Sequence, residues 1–259
     1  MSSFIHETAI VSPNAEIGAD CHIGAFSIIG DAVILGDCVH LESHVVIDGI
    51  TSIGDDTKIF PFVSIGLAPQ DLKYGGEATR TAIGKRNHLR EFVTVHRGTK
   101  GGGGLTKIGD DNLLMAQAHV AHDCHIGNEV IMANAATLAG HVEIADRANI
   151  GAYSGIHQFC RIGLEAFVGG YSVVVKDALP FATIQGNHAK CYGLNRVGMR
   201  RRGYAKETIE KLHRAYHLLL SAKLNTTQAV EKIKDEITDC AEVDLLVQFI
   251  ETSKRGVVK

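Results

Sequence analysis

The chain has no tryptophan, only 4 Pro and 6% aromatic residues in 259 positions. So little proline excludes collagen-like and mucin-like chains. No apolar run is long enough to span a bilayer, so no transmembrane segment is expected. The opening residues, Met1-Ser2-Ser3-Phe4-Ile5-His6, lack the basic and apolar stretches of a signal peptide. Positive charge is also short. The net charge is −3, so nothing draws the chain to nucleic acid in bulk, and an anionic partner must meet a local basic patch. No CxxC pair occurs among the 6 Cys; without a secretory signal they read as reduced cytoplasmic thiols. What remains is 45% hydrophobic, too apolar for a disordered chain.

Aliphatic residues recur with a period of six. From Ile5 the register runs through Val11, Ile17, Ile23, Ile29 and Leu35 to Ile65. It resumes at Ile83, Leu89 and Val95, and again from Ile108 through Leu114, Val120 and Ile126 to Val174. Four residues after each aliphatic position stands a small or β-branched residue, such as Cys21, Ser27, Val33, Ala118 or Cys124. Neither 3.6 nor 3.5 periodicity fits, which excludes an amphipathic helix or a coiled coil. Hexads predict a parallel β-helix: one short strand and one turn per hexad, with coils stacked by parallel pairing and aliphatics laddered inward. Gly or Asp/Asn is expected to supply a left-handed turn conformation.

Two insertions break the register, Gly66 to Ala82 and Gly98 to Lys107, and both are expected to be surface loops on a binding face. The β-helix is thus assigned to 1–185 with inserted loops at 66–82 and 98–107. An irregular basic connection and a helical C-terminal domain follow over 186–259. Three amphipathic helices are predicted from Ile209, Leu212, Tyr216 and Leu219, from Val230 and Ile233, and from Val243, Leu246 and Ile250. They are expected to cover the open last coil, whose free strand edge is otherwise an aggregation hazard.

Histidines concentrate in His119-Val120-Ala121-His122-Asp123-Cys124-His125, with His141 and His157 further on. In coils of three hexads, His122, His141 and His157 fall near one line along the axis. Three readings stay open on spacing alone. The rings are surface residues, or they hold a zinc ion across a subunit interface, or one of them is a general base. For the base, Asp123 is the candidate orienter, provided the pair sits at a corner, because strand neighbours face opposite ways.

In order along the chain stand Gln70-Asp71-Leu72-Lys73-Tyr74, His96-Arg97-Gly98-Thr99, Gly103-Gly104-Leu105-Thr106-Lys107, His119 to Cys124, Leu138-Ala139-Gly140-His141, His157-Gln158-Phe159, Gly186-Asn187-His188-Ala189 and Arg201-Arg202-Gly203. On these segments the chain closely resembles the UDP-N-acetylglucosamine acyltransferases, hexapeptide-repeat enzymes that open lipid A synthesis in Gram-negative bacteria. The resemblance implies a left-handed parallel β-helix, mainly β, with a C-terminal α-helical cap. It implies a cytoplasmic homotrimer with active sites between neighbouring β-helices. The implied partners are acyl carrier protein, which delivers a 3-hydroxyacyl chain on its phosphopantetheine, and UDP-N-acetylglucosamine; no further cofactor and no metal are implied.

By the same resemblance His122 is the base, Asp123 orients it, and the Gly140 N–H stabilises the oxyanion. Loss of such a donor typically costs roughly 10²–10³ in rate. Asp71, Lys73, His119, His141, His157, Gln158, Asn195, Arg201 and Arg202 are implied to bind substrate. Gly170 and His188 are implied to measure the acyl chain. Gly170→Met is accordingly expected to shift preference to a shorter donor, read by comparing rates across acyl donors. An acidic residue common in the family two positions after Asn195 is here Val197, which removes one expected ribose contact. Arg161, Lys176, Lys190 and Arg200 to Arg202 are candidates for docking the acidic carrier. The rival readings are a metal-dependent hydratase, a CoA-dependent sugar acetyltransferase and a non-catalytic module that recognises acylated carrier protein.

Overall fold

The computed structural model describes residues 3–220 and 223–259. Short strands form three parallel faces, each assembled from every third strand in chain order. Face one runs through Phe4–Ile5, His22–Ile23 and His40–Leu41; face two through Ile10–Val11, Ile28–Ile29 and Val46–Ile47; face three through Glu16–Ile17, Val33–Leu35 and Ile50–Ile53. The aliphatic register is the pairing register: Ile23 stands on Leu41, Leu138 on Ile156, and Ile126 on Ile144. This is the left-handed parallel β-helix with its helical C-terminal part.

The ladder is dry. Ile23, Leu41, Ile59, Leu89, Leu114, Met132 and Ile150 are fully buried on face one. Each such side chain stabilises the fold by roughly 1.5–3 kcal/mol relative to exposure. The small residues four positions on, among them Cys21, Ser27, Val33 and Cys124, are buried in the corners as expected. Among the described residues the first coil departs from the pattern: Ile5 is exposed and Val11 and Ile17 are half-buried, with a neighbouring coil on one side.

The glycines do a different job from the one expected. Gly18 and Gly54, after the aliphatic residue, do not have positive φ. A Cβ on Gly18 would lie 2.4 Å from the Gly36 carbonyl oxygen, and one on Gly54 2.6 Å from the Gly84 carbonyl carbon. They are small so that successive coils can touch. The left-handed residue is the second of each corner and is usually not Gly: Asp20, Phe26, Cys38, His44, Asp123, His141 and Glu165 all have φ between 54° and 63°. That conformation costs roughly 1–2 kcal/mol for a residue with a Cβ. The corner N–H offsets it by donating to the preceding coil, as His44 does to Ala25 at 2.9 Å. Side-chain stacking along the edge adds to this, as in Phe26, His44, Phe62 and Phe92 between faces one and two.

Both insertions leave the ladder intact, since Ile59 pairs with Leu89 and Leu89 with Leu114. Their ends are strand rather than loop. Ser64–Leu67 and Arg80–Ile83 take up the ends of the first, and Leu105–Ile108 takes up the end of the second. Parallel pairing extends into them because the neighbouring coil offers free edge groups.

The stretch expected to be irregular contains a strand, Lys190–Leu194, paired antiparallel with Ala182–Gln185. It also contains a short helix α1, Arg196–Arg201, which the periodicity missed because it is basic and barely amphipathic. Helices α2 (Lys206–Leu220), α3 (Thr226–Glu236) and α4 (Ala241–Glu251) follow as predicted. Asn225 opens α3 with a capping box to Gln228. Their apolar faces join the β-helix core in one continuous cluster, so they do close the last coil. Arg161 fastens the closure. It donates to Asp177 at 3.0 Å, to Thr252 at 3.1 Å and to the Phe249 carbonyl at 2.8 Å, and its guanidinium lies 4.2 Å from the Phe249 ring centre.

Candidate active site

The edge between faces two and three carries His122, Asp123, Gly140, His141, Gln158 and Phe159 in successive coils. His122 and Asp123 form the corner between strands His119–Val120 and His125–Ile126, and Asp123 takes φ 59°. The corner turns the two neighbours to one side, and His122 Nδ1 lies 2.8 Å from Asp123 Oδ2. A carboxylate only accepts, so Nδ1 carries the proton and Nε2 keeps its lone pair.

Asp123 is held from three directions. The Thr99 N–H donates to Oδ1 at 2.9 Å and the Thr99 hydroxyl to Oδ2 at 2.6 Å. Its own N–H donates to the Thr106 hydroxyl at 2.8 Å. Both threonines come from the second insertion. A Cβ on Gly102 would lie 2.1 Å from the Asp123 carboxyl, so the glycine run lets backbone pack directly on this buried acid. Gly140 serves the ring in the same way. A Cβ there would meet His122 Cε1 at 2.5 Å and Nε2 at 2.7 Å. None of the backbone hydrogen bonds among the described residues uses the Gly140 N–H, which leaves it a donor beside the ring.

Neighbouring imidazoles stay neutral. Burial pushes His96 down to about 4, with His119 and His122 adding to the effect. Burial and then His122 lower His119, whose Nδ1 is 2.7 Å from the Thr94 hydroxyl. Burial also lowers His141, against the opposing pull of Asp123 and Asp71. His141 stacks on Phe159 at 4.4 Å and stands edge-on to His122 at 5.0 Å. His122, Asp123 and His141 present ligand atoms within 4.8 Å of one another, a set that can hold a metal ion. The donors are two imidazoles and a carboxylate, not three histidines. Asp123 Oδ2 is already engaged by Thr99 and His122.

Asp71 reaches the electrostatic field of His141 from the first insertion, and its carboxylate accepts from the Lys73 N–H at 3.0 Å. Lys73 itself is exposed. His157 is exposed, with Nδ1 3.2 Å from Arg255, which the sequence reading did not single out. In strict register Gln158, not His157, lies in line with His122. A groove of about 560 Å³ runs from Asp123 and His141 past Phe159 to Arg161, Asp177 and Arg255.

Asn195, Arg201 and Arg202 are elsewhere. They line a pocket of about 460 Å³ on the edge between faces three and one, with Arg147 and Glu165. Asn195 caps α1 by accepting from the Gly198 N–H at 3.0 Å. One chain therefore does not bring this pocket to His122. Gly170 lies on the remaining edge, between faces one and two, without positive φ; a Cβ there would meet little beyond the Ala152 oxygen at 3.2 Å. A turn requirement for glycine is thus set aside. His188 lines a separate pocket with Lys176. Arg161 is a correction: its guanidinium is spent on the cap and is not available as a docking charge, whereas Lys190 and Arg200 are exposed.

The roles of Thr99, Thr106, Arg147, Glu165 and Arg255 were not read from the sequence. The only signal was that two of them lie in an insertion; the others become visible only when distant coils are side by side.

A family model described as UDP-N-acetylglucosamine O-acyltransferase, domain 2, matches residues 177–258, and a hexapeptide-repeat model matches 14–49 and 105–140. Among solved structures, LpxA from Acinetobacter baumannii is 45% identical over 99% of this chain and 100% of its own, with TM-score 0.96. LpxA from Bacteroides fragilis, a UDP-N-acetylglucosamine acyltransferase, is 37% identical over 99% and 100%, also at 0.96. The Arabidopsis UDP-N-acetylglucosamine acyltransferase is 32% identical over 99% and 100%, at 0.88.

Proposed function

The chain belongs to the UDP-N-acetylglucosamine O-acyltransferase family, and on that premise we propose that it moves a 3-hydroxyacyl group from acyl carrier protein to the glucosamine 3-hydroxyl of UDP-N-acetylglucosamine. It is an O-acyltransferase, and the reaction is the opening step of lipid A synthesis. The observation that carries the mechanism is the His122–Asp123 pair at a corner, with the ring against the Gly140 backbone.

His122 Nε2 takes the proton of the sugar hydroxyl. The oxygen attacks the thioester carbonyl carbon, and negative charge collects on the carbonyl oxygen, toward which the Gly140 N–H donates. The carbon–sulfur bond then breaks, and the imidazolium returns its proton to the pantetheine sulfur. Asp123, clamped by Thr99, fixes the tautomer and favours the imidazolium while it lasts. Neutral His96, His119 and His141 keep further positive charge away from the base. No covalent enzyme intermediate is needed, and no metal takes part; dialysis against chelator leaves transfer intact on this reading, whereas a metal-dependent hydratase loses activity.

The active unit is a homotrimer. The base lies on one edge of the prism and the basic pocket on another, which supports a second copy presenting its pocket to the first copy's base. A head-to-tail contact of this kind closes as a ring of three when each copy is turned by a third of a circle. Exposed Lys190 and Arg200 favour an acidic carrier protein. The six free thiols agree with a reducing compartment, the cytoplasm, and no helix of the described residues is long and apolar enough to cross a membrane. The Arabidopsis relative means that membership alone does not assign a Gram-negative source.

The deciding experiment is mass spectrometry of the product made from UDP-N-acetylglucosamine with a panel of acyl carrier proteins. A product heavier by one hydroxyacyl group, absent with His122→Ala, is expected. Acylation only from acetyl-CoA, or full turnover by His122→Ala, overturns the reading.

A further inference from the structure

The basic pocket between faces three and one contains an acid whose second oxygen is idle. Glu165 is only 4% exposed. Its Oε1 accepts from Arg147 Nε at 2.8 Å and from the Tyr204 hydroxyl at 2.9 Å, with Arg202 Nη1 at 3.4 Å. Its Oε2 is buried and has no hydrogen-bond partner among the described residues. An unpaired buried carboxylate oxygen is a costly feature that a native fold does not keep without compensation.

Arg147, Arg201 and Arg202 make the pocket attractive to an anion. A bare anion would be met by Glu165 as well, and a carboxylate repels it. The pocket is suited instead to a ligand that is anionic at one end and offers a neutral O–H or N–H at the other. Phe167, 38% exposed on the pocket wall, gives a flat apolar surface for a ring beside that donor. Val197, on the same wall, offers no acceptor.

We propose that Glu165 is a specificity-determining residue of the nucleotide subsite, its Oε2 accepting a hydrogen bond from the nucleoside, either a ribose hydroxyl or a base N–H. This rests on the reading above, in which Asn195, Arg201 and Arg202 of this pocket bind the sugar nucleotide that accepts the acyl group. Glu165 thereby has two tasks, holding Arg147 and Arg202 through one oxygen and reading the nucleoside through the other.

Calorimetric titration of the full chain with UDP, 2′-deoxy-UDP, 3′-deoxy-UDP and N3-methyl-UDP tests this. Wild type is expected to bind UDP at least about tenfold more tightly than one of the analogues, and that analogue identifies the donor. Glu165→Gln puts an amide in place of the oxygen and is expected to bind UDP about tenfold more weakly, with the preference flattened. In the acyl transfer assay the same variant raises KM for the sugar nucleotide and leaves kcat unchanged. Glu165→Asp keeps the charge but withdraws the oxygen, and gives the same flattening should Glu165→Gln fail to fold. A variant that keeps the wild-type ranking of the four ligands overturns the inference. Arg202→Ala separates the two layers. If it weakens UDP binding while the Glu165 variants keep the ranking, only the role of Glu165 falls; if it binds UDP like wild type, the nucleotide reading of the pocket falls with it.

Discussion

The chemistry of single residues depends here on what is missing beside them. Gly140 is a site residue because any side chain would occupy the space of the His122 ring. Gly140→Ala keeps the backbone N–H but pushes the base out of place, so it is expected to fold and yet lose at least about a hundredfold in kcat, the scale of a lost general base, as steady-state kinetics on the folded variant will show. His96 carries a stability signature. In the folded protein its pKa is pushed down to about 4, whereas in the unfolded chain it returns to the ordinary 6.5. Between these values the unfolded chain binds the extra proton. The contribution is fully present above pH 6.5 and is lost as pH falls toward 4, by about 3 kcal/mol. Urea midpoints measured from pH 7 to 4 should fall more steeply for wild type than for His96→Asn; equal slopes would refute the assignment.

Among the elements, the helical cap and the second insertion are both clamps. The cap is fastened by Arg161, which gives Asp177, Thr252 and Phe249 a common partner. Asp177 is 1% exposed, so Arg161→Ala leaves a nearly buried carboxylate with Ser253 as its remaining side-chain donor. Removing one partner of such a pair costs roughly 3–5 kcal/mol. The expected result is a lower urea midpoint together with earlier proteolysis within α2 to α4; a midpoint like that of wild type would show that the cap is held by apolar packing alone. The second insertion was legible as an insertion, because the hexad register stops at Val95 and restarts at Ile108. Its role as the clamp of Asp123 was not, because the contact joins residues 24 positions apart whose proximity depends on the coil between them.

For the whole molecule, the base and the basic pocket belong to different edges of one prism, and on the proposed reading the active site is therefore a property of the assembly. Co-expressing His122→Ala with Arg202→Ala is expected to restore activity that neither variant has alone. In a randomly mixed ring about a quarter of the sites pair an intact base with an intact pocket. Activity that stays at the level of the separate variants would place both halves of the site in one chain.

The six-residue period alone determined the β-helix, its dry aliphatic ladder and its two interruptions, because a side chain that must face inward once per face leaves a mark at every turn of the chain. The helical cap was written in the same way, as a change to helical spacing from Ile209. The tertiary structure decided what no local pattern encodes: that glycines admit neighbouring coils while Phe and His join the expected Asp at the left-handed corners, that Thr99 steadies Asp123, and that Arg161 is a structural bolt. These depend on which coil lies beside which, and one strand's sequence carries no record of its neighbour.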